Sequence, residues 1–259
     1  MSSNANKPVV LAIAGADPSG GAGIIADIRT IQAFSCIPAA AITSITFQNS
    51  QEYFGALHQT AASVRAQIEA IVGEHEIAAV KIGMLPTADV VREVARSLHD
   101  FNLPPPVIDP VIESTSGGKL MQDDAFEVLV TELLPRARLV TPNIPEAEKL
   151  AGVNIGDEEQ MRQAAARIRE LGVRSVLVKG GHLKMQRSEV SDQRSVTIDI
   201  LDDDGIVTRF EGERISGELR GSGCILSSAI ASGIAKGLAL ADSISEAKAF
   251  VTNAFRGQV

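Results

Sequence analysis

The chain has 259 residues, 45% of them hydrophobic and 22% charged, with a net charge of -8. That content supports one large domain, or two small ones, and speaks against disorder; the acidic balance, the absence of Trp and the single Tyr speak against nucleic-acid or membrane partners and base-stacking platforms. Two distant cysteines, Cys36 and Cys224, make neither a disulfide framework nor a zinc signature, which fits a reducing, cytoplasmic setting.

The polar opening MSSNANKP, read as a flexible lead-in over residues 1–7, lacks the charged-then-apolar pattern of a signal peptide, and no apolar run approaches the roughly 20 residues of a membrane span. The run Val9 to Ala14 ends at Gly15 and reads as a buried strand. A glycine-rich turn from Asp17 to Gly23 follows, then a helix from Ile24 to Phe34 and a strand from Ala39 to Thr46. Val64 to Val72 is an amphipathic helix, Ala78 to Ile82 a strand stopped by Gly83, Ala88 to His99 a helix, and Pro106 to Ile108 a short strand ending at Asp109.

The alternation continues with a helix from Ala125 to Leu134, a strand from Leu139 to Thr141 and a helix from Pro145 to Leu150. Asp157 to Leu171 carries a capping-box signal in Asp157 and Gln160. Ser175 to Val178 is a strand stopped by Gly180-Gly181, and Lys184 to Arg194 is the most polar segment, a candidate flap. Val196 to Leu201 and Ile206 to Phe210 flank Asp202-Asp203-Asp204-Gly205, a hairpin signal, and two helices beginning near Cys224 and Ser243 close the chain. Apolar strands alternating with helices predict a mostly parallel sheet covered on both faces, with a late antiparallel hairpin at one edge and no internal repeat.

In open sheets of this kind ligands bind beyond the carboxyl ends of the strands. Gly15, Gln48, Gly83-Met84, Asp109, Asn143 and Lys179 all fall there. In AGADPSGGAGIIAD the glycines let the backbone approach a ligand, but no Lys follows as in a phosphate loop. Asp27, one turn into the helix, suits a ligand amine or simply the positive helix end. The Gln48 carboxamide suits a heteroaromatic edge or solvent. Asp109 suits Mg²⁺. Asn143 and Glu146 read equally as a capping box and as support for a hydrated metal. Lys179 suits a transferring phosphate or plain solvent, and the lone His182 reads as structural.

RGSGC is the most informative stretch. Ser222, Gly223 and Cys224 are placed to offer successive N–H groups to an anion at a helix start, where the helix dipole lowers a thiol pKa. The alternative for Cys224 is a small buried hydrophobe.

AGADPSGGAGIIAD, the Gln48 segment, KIGML from Lys81, DPV from Asp109, SGGKL from Ser116, TPNIPEAE from Thr141, VKGGH from Val178 and GSGC from Gly221 run in order through nearly the whole chain. Together they resemble the hydroxymethylpyrimidine/phosphomethylpyrimidine kinases, a vitamin-kinase branch of the ribokinase-like fold. The resemblance implies a single ribokinase-like domain, a three-layer α/β/α sandwich, over residues 1–259. It also implies ATP-dependent phosphorylation of 4-amino-5-hydroxymethyl-2-methylpyrimidine, and then of its monophosphate, for thiamine synthesis. A pyrimidine site of Gly15, Ala22, Asp27, Gln48, Met84 and Val111 is implied, with Mg²⁺ near Asp109 and Glu146. Asn143, Lys179 and Ser222 would serve the nucleotide, and Gly221 to Cys224 the anion hole, with Cys224 where sugar kinases of the fold carry an Asp base. A homodimer is implied as well.

Two residues depart from the family pattern. Arg220 stands where a His usually precedes the glycine turn, and Glu113 where the family tends to be apolar. They keep two other readings open: a kinase for pyridoxal or a related heteroaromatic alcohol, and a non-catalytic pyrimidine-binding regulator.

Overall fold

The computed structural model describes residues 7–49, 52–113, 118–181, 196–213 and 219–257. The first apolar run forms β1 (Val9–Ala16), buried along nearly its whole length because both of its faces are covered. After the glycine-rich turn come α1 (Gly23–Ala33), β2 (Ile37–Gln48), β3 (Tyr53–His58), α2 (Ala61–Val72), β4 (Ile77–Ile82) and α3 (Ala88–Asp100). The middle of the chain supplies β5 (Val107–Ile108), α4 (Asp123–Val128), β6 (Leu139–Val140), α5 (Ile144–Ala151), α6 (Glu158–Arg169) and β7 (Ser175–Lys179). The hairpin β8 (Val196–Asp203) and β9 (Ile206–Glu213) precedes α7 (Ser222–Ala235) and α8 (Leu240–Phe255).

The strands form one sheet in the order β3-β2-β1-β4-β5-β6-β7-β8-β9. Pairing is parallel from β2 through β7. It turns antiparallel at both margins, β2 with β3 on one side and β7-β8-β9 on the other. The late hairpin is as expected, and its tip explains itself: Asp204 and Gly205 take φ of 54° and 89°, the left-handed pair that a two-residue turn requires. The second antiparallel edge, β3, went unread in the sequence.

Alternate residues of β1 face opposite layers. Leu11 and Ile13 pack with α2 through α6, and Val10, Ala12 and Ala14 with α1, α7 and α8. The result is the three-layer sandwich expected. The helix expected over 125–134 changes pitch: α4 passes into a π turn, Leu129–Leu133, and a tighter turn, Leu134–Arg136. Pro135 lacks an N–H and crowds the preceding carbonyls, which accounts for the break. In α6, Asp157 accepts from Gln160 N at 2.8 Å, but the Gln160 side chain accepts from Gly156 N rather than closing a reciprocal box.

Because β2 lies on one side of β1 and β4 on the other, the connections part between β1 and β4, the crevice where open sheets bind ligands. Among the described residues no helix is long and apolar enough to cross a membrane. The segment 184–194, His182 and Ser116 lie outside the described residues.

Candidate active site

Along the same margin of the sheet, the first turn of α7 meets Asp109 just after β5 and Lys179 at the end of β7. Gly221 caps α7 with φ of 71°, and a Cβ there would lie 2.3 Å from the Gly21 carbonyl oxygen. The two glycine turns therefore touch backbone to backbone, which only glycine permits. Two residues later, a Cβ on Gly223 would lie 2.9 Å from Asp109 Oδ2 and 3.2 Å from Lys179 Nζ. Asp109 and Lys179 are thus set directly against the open N–H groups of a helix start.

Lys179 Nζ donates to Asp109 Oδ1 at 2.9 Å, and the Thr141 hydroxyl reaches the same oxygen at 3.3 Å. Burial would lower the Lys179 pKa, but Asp109 and Glu146 hold it above its ordinary value. Asn143 and Glu146 form the reciprocal capping box: Glu146 N donates to Asn143 Oδ1 at 2.9 Å, and Asn143 N to Glu146 Oε2 at 2.8 Å. Burial pushes the Glu146 carboxyl up to about 7, with Lys179 opposing and Asp109 adding to the rise. The capping reading is realised, and the same box holds Glu146 within the electrostatic reach of Asp109 and Lys179.

Three expectations change here. Ser222 N–H is turned to the Leu219 carbonyl at 3.2 Å, so Gly223 and Cys224 supply the first-turn donors that have no intrahelical acceptor. The Cys224 pKa is not lowered: burial pushes it up to about 11, against the pull of Lys81 and an N–H bond from Gly23, because Asp27 and Asp109 add negative charge. Desolvation outweighs the helix end. Asp27 has partners other than a ligand amine. It is fully buried, and its oxygens take Lys81 Nζ at 2.8 and 2.9 Å and Ser228 Oγ at 2.8 Å. Burial alone would lower the Lys81 pKa, but Asp27, with Cys224 and Asp109, raises it; burial raises the Asp27 pKa in turn, with Lys81 and Ser228 opposing, so each partner favours the charged form of the other.

The remaining expected residues lie at the same strand ends. A Cβ on Gly15 would sit 2.8 Å from Met84 Sδ, so Met84 packs flat on the end of β1. Ala22 caps α1 beside Gly221. Gln48 ends β2 and is half-buried, as is Val111, whose N–H turns back to the Asp109 carbonyl at 2.8 Å. Glu113 is exposed and bridges to Lys119 through the backbone.

Sequence reasoning assigned no role to Lys81 or Ser228 and left Arg220 unexplained. Lys81 did carry a signal, as the one charge inside the apolar strand IAAVKI. The Arg220 guanidinium donates to Asp17 Oδ2 at 3.2 Å, Ser19 Oγ at 3.1 Å and the Asn49 carbonyl at 2.7 Å. A polar groove between α3 and α4, lined by Arg92, Glu127 and Glu132, contains none of the expected residues.

The profile of the phosphomethylpyrimidine kinase family matches residues 17–259. A hydroxymethylpyrimidine/phosphomethylpyrimidine kinase of Rhizobium meliloti is 40% identical over 247 residues, 94% of this chain and 88% of that protein. A thiamine biosynthesis bifunctional protein of Geobacter sulfurreducens is 40% identical over 248 residues, 95% of this chain; the chain spans only 49% of that protein. Among solved structures, an ADP complex of Bacillus subtilis pyridoxal kinase matches with a TM-score of 0.84 at 31% identity, over 95% of this chain and 91% of that one.

Proposed function

The chain belongs to the phosphomethylpyrimidine kinase family, and we propose that it transfers a phosphoryl group from ATP to the hydroxymethyl oxygen of 4-amino-5-hydroxymethyl-2-methylpyrimidine, then a second to the monophosphate, in thiamine synthesis. The observation that carries this reading is the Asp109–Lys179 pair set against the first turn of α7, with Cys224 on that turn. Phosphoryl transfer asks for positioning and charge stabilisation more than covalent help. The Gly223 and Cys224 N–H groups and the Lys179 ammonium are fixed donors for the migrating phosphoryl oxygens.

On this reading Gly15, Ala22, Met84 and Val111 wall the pyrimidine, and Gln48 pairs with its ring edge. Asp27 supports the pocket from beneath through Lys81 and Ser228, and Asn143 and Ser222 lie toward the nucleotide. Asp109 and Glu146 are two hard oxygen donors, one already shared with an ammonium, and no group of three or more candidate metal ligands occurs among the described residues. That donor set fits Mg²⁺, which keeps most of its waters and takes one or two carboxylates beside substrate phosphates. When bound it would neutralise phosphate charge.

The reading also places the chain in the cytoplasm as a homodimer. Exposed Ile45, Phe47 and Leu57, side by side on the β2-β3 edge, support self-association, and sedimentation would test it. A pyridoxal kinase activity is the second reading, favoured by the solved neighbour but by lower identity than the pyrimidine-kinase relative.

The test is incubation with ATP, Mg²⁺ and either hydroxymethylpyrimidine or pyridoxal, with product masses. One and then two phosphoryl groups on the pyrimidine are expected. Phosphorylation of pyridoxal alone reverses the assignment, and transfer to neither restores the regulator reading.

A further inference from the structure

Arg220 immediately precedes the anion-hole turn, yet its charge is engaged elsewhere. Its partners lie 203, 201 and 171 residues away in sequence: Asp17 and Ser19 in the turn between β1 and α1, and Asn49 just beyond the end of β2. Asp17 is 2% exposed, and its other oxygen takes Ser19 N at 3.0 Å and Ser19 Oγ at 2.8 Å. Arg220, Asp17 and Ser19 therefore close a ring of hydrogen bonds. The aliphatic part of the side chain lies over Gly21, where a Cβ would sit 3.5 Å from Arg220 Cβ. A planar fork spreads its donors over separate nitrogens and so spans a carboxylate, a hydroxyl and a carbonyl, whereas the three donors of an ammonium radiate from one atom.

We propose that Arg220 is a positioning residue that locks the Asp17–Gly23 turn and the end of β2 onto the first turn of α7, fixing the walls of the alcohol-substrate pocket rather than binding phosphate. The segments it ties carry Ala22, Gln48 and Gly221 to Cys224, so the inference rests on the pyrimidine-site reading for its effect on substrate. The clamp itself does not depend on that reading. Its negative partner, Asp17, neutralises the guanidinium within the protein, and the pull it exerts runs toward β1 and β2 rather than toward Lys179.

Arg29 serves as the internal comparison. It grips the same turn, donating to the Gly20 carbonyl at 3.1 Å, but arises from α1 itself and, among the described residues, bonds to neither β2 nor α7. Losing it should loosen the turn without uncoupling the three segments.

The experiment compares wild type with Arg220→Gln, Arg220→Lys, Asp17→Asn and Arg29→Gln, by amide hydrogen exchange of the ligand-free proteins and by steady-state kinetics. In Arg220→Gln, exchange should rise about tenfold in residues 17–23 and also in residues 44–49, distant in sequence. The KM for hydroxymethylpyrimidine should rise about tenfold, with the KM for ATP and kcat within about threefold. Asp17→Asn should reproduce this pattern, and adding it to Arg220→Gln should make nothing worse. Arg220→Lys should restore the 17–23 segment but not 44–49, and Arg29→Gln should spare 44–49.

A raised KM for ATP with that for the pyrimidine unchanged would place Arg220 on the phosphates and overturn the proposal. So would unchanged exchange in residues 44–49. Should Arg220→Gln not fold, Asp17→Asn carries the same comparison. If wild type does not phosphorylate the pyrimidine, the functional reading fails, while the exchange results still decide the clamp.

Discussion

Replacing Lys81 by Met keeps most of the side-chain volume and removes a charge that has no exposed surface. Its Nζ lies 2.8 Å from Asp27 Oδ1, and both side chains are wholly enclosed. At that distance an effective dielectric of 20 gives an attraction of about 6 kcal/mol, and the net cost of orphaning one partner of a buried pair is about 3–5 kcal/mol. For a chain of this length the melting temperature should fall by roughly 10 °C. Asp27→Leu alone should cost a similar amount, because it leaves the ammonium unpaired. The double variant Lys81→Met/Asp27→Leu should recover most of the loss, since Ser228 can turn back to a carbonyl of its own helix.

Acid should rescue the single variant. Burial already raises the Asp27 pKa above its ordinary value of 3.8 with Lys81 opposing; without Lys81 it should rise further, so stability is greatest below 3.8 and lost as pH rises through the folded pKa. Urea unfolding of the four proteins at pH 8 and pH 5.5 measures both effects, and additive losses with no pH dependence would refute the buried-pair argument. The double variant also decides the role of Asp27. A pyrimidine KM close to wild type means support from beneath, whereas a large rise with normal stability means direct contact.

Three further outcomes are expected. Cys224→Ala should slow phosphorylation of the alcohol far more than that of the monophosphate, which is already an anion; equal losses in separate assays would reject a proton-accepting role. Glu146→Gln should flatten the pH dependence of stability. The folded carboxyl at about 7 binds its proton more tightly than in the unfolded chain, where 4.5 is ordinary. Its contribution, roughly 3 kcal/mol, is therefore present below about pH 4.5 and lost as pH rises through 7, and thermal melts from pH 4 to 8 would show an unchanged slope if the reasoning fails. Gly223→Ala should keep the fold, because its φ is ordinary, while its Cβ intrudes 2.9 Å from Asp109 Oδ2; kcat should fall at least about 100-fold, and a near-normal kcat would show that the helix start is not the phosphoryl site.

The sheet was legible in the sequence wherever an apolar run ends at a glycine, as in β1, β4 and β7. The late hairpin was legible from Asp204-Gly205, whose backbone conformation those residue types favour. β3 was not: its run YFGALH is short and broken by Gly55, and it does not mark burial, since Phe54 and Leu57 are 63% and 58% exposed on the edge strand. The common location of Asp109, Asn143 and Lys179 could be read, because a parallel sheet gathers such strand ends at one margin, while the role of each alone could not. Their partners could not. Nothing in the sequence ties Lys81 to Asp27 or Arg220 to Asp17, since those pairings are chosen by how α1 and α7 lie on the sheet. The same limit applies to Cys224: its place on a helix start was readable, and so was burial as an alternative, but the charges of Asp27, Lys81 and Asp109 around it were not.

That burial bears on why a thiol suits this position. With its pKa pushed up to about 11, mainly by burial, the Cys224 thiol rests protonated at neutral pH. Asp27 and Asp109 already bring negative charge to its surroundings. A carboxylate in its place would add a further fixed charge, and at 4 Å from an incoming phosphate oxygen it would cost about 4 kcal/mol of repulsion at an effective dielectric of 20. For an enzyme acting only on alcohols that charge is tolerable. For one that must also bring a phosphomonoester to the same turn, a group neutral at rest avoids the repulsion in the second step, while the Lys81 ammonium remains close enough to favour a thiolate in the first. On the proposed reading, the buried Asp27–Lys81 pair and the protonated thiol it influences are parts of one electrostatic arrangement, suited to two nucleophiles of different charge.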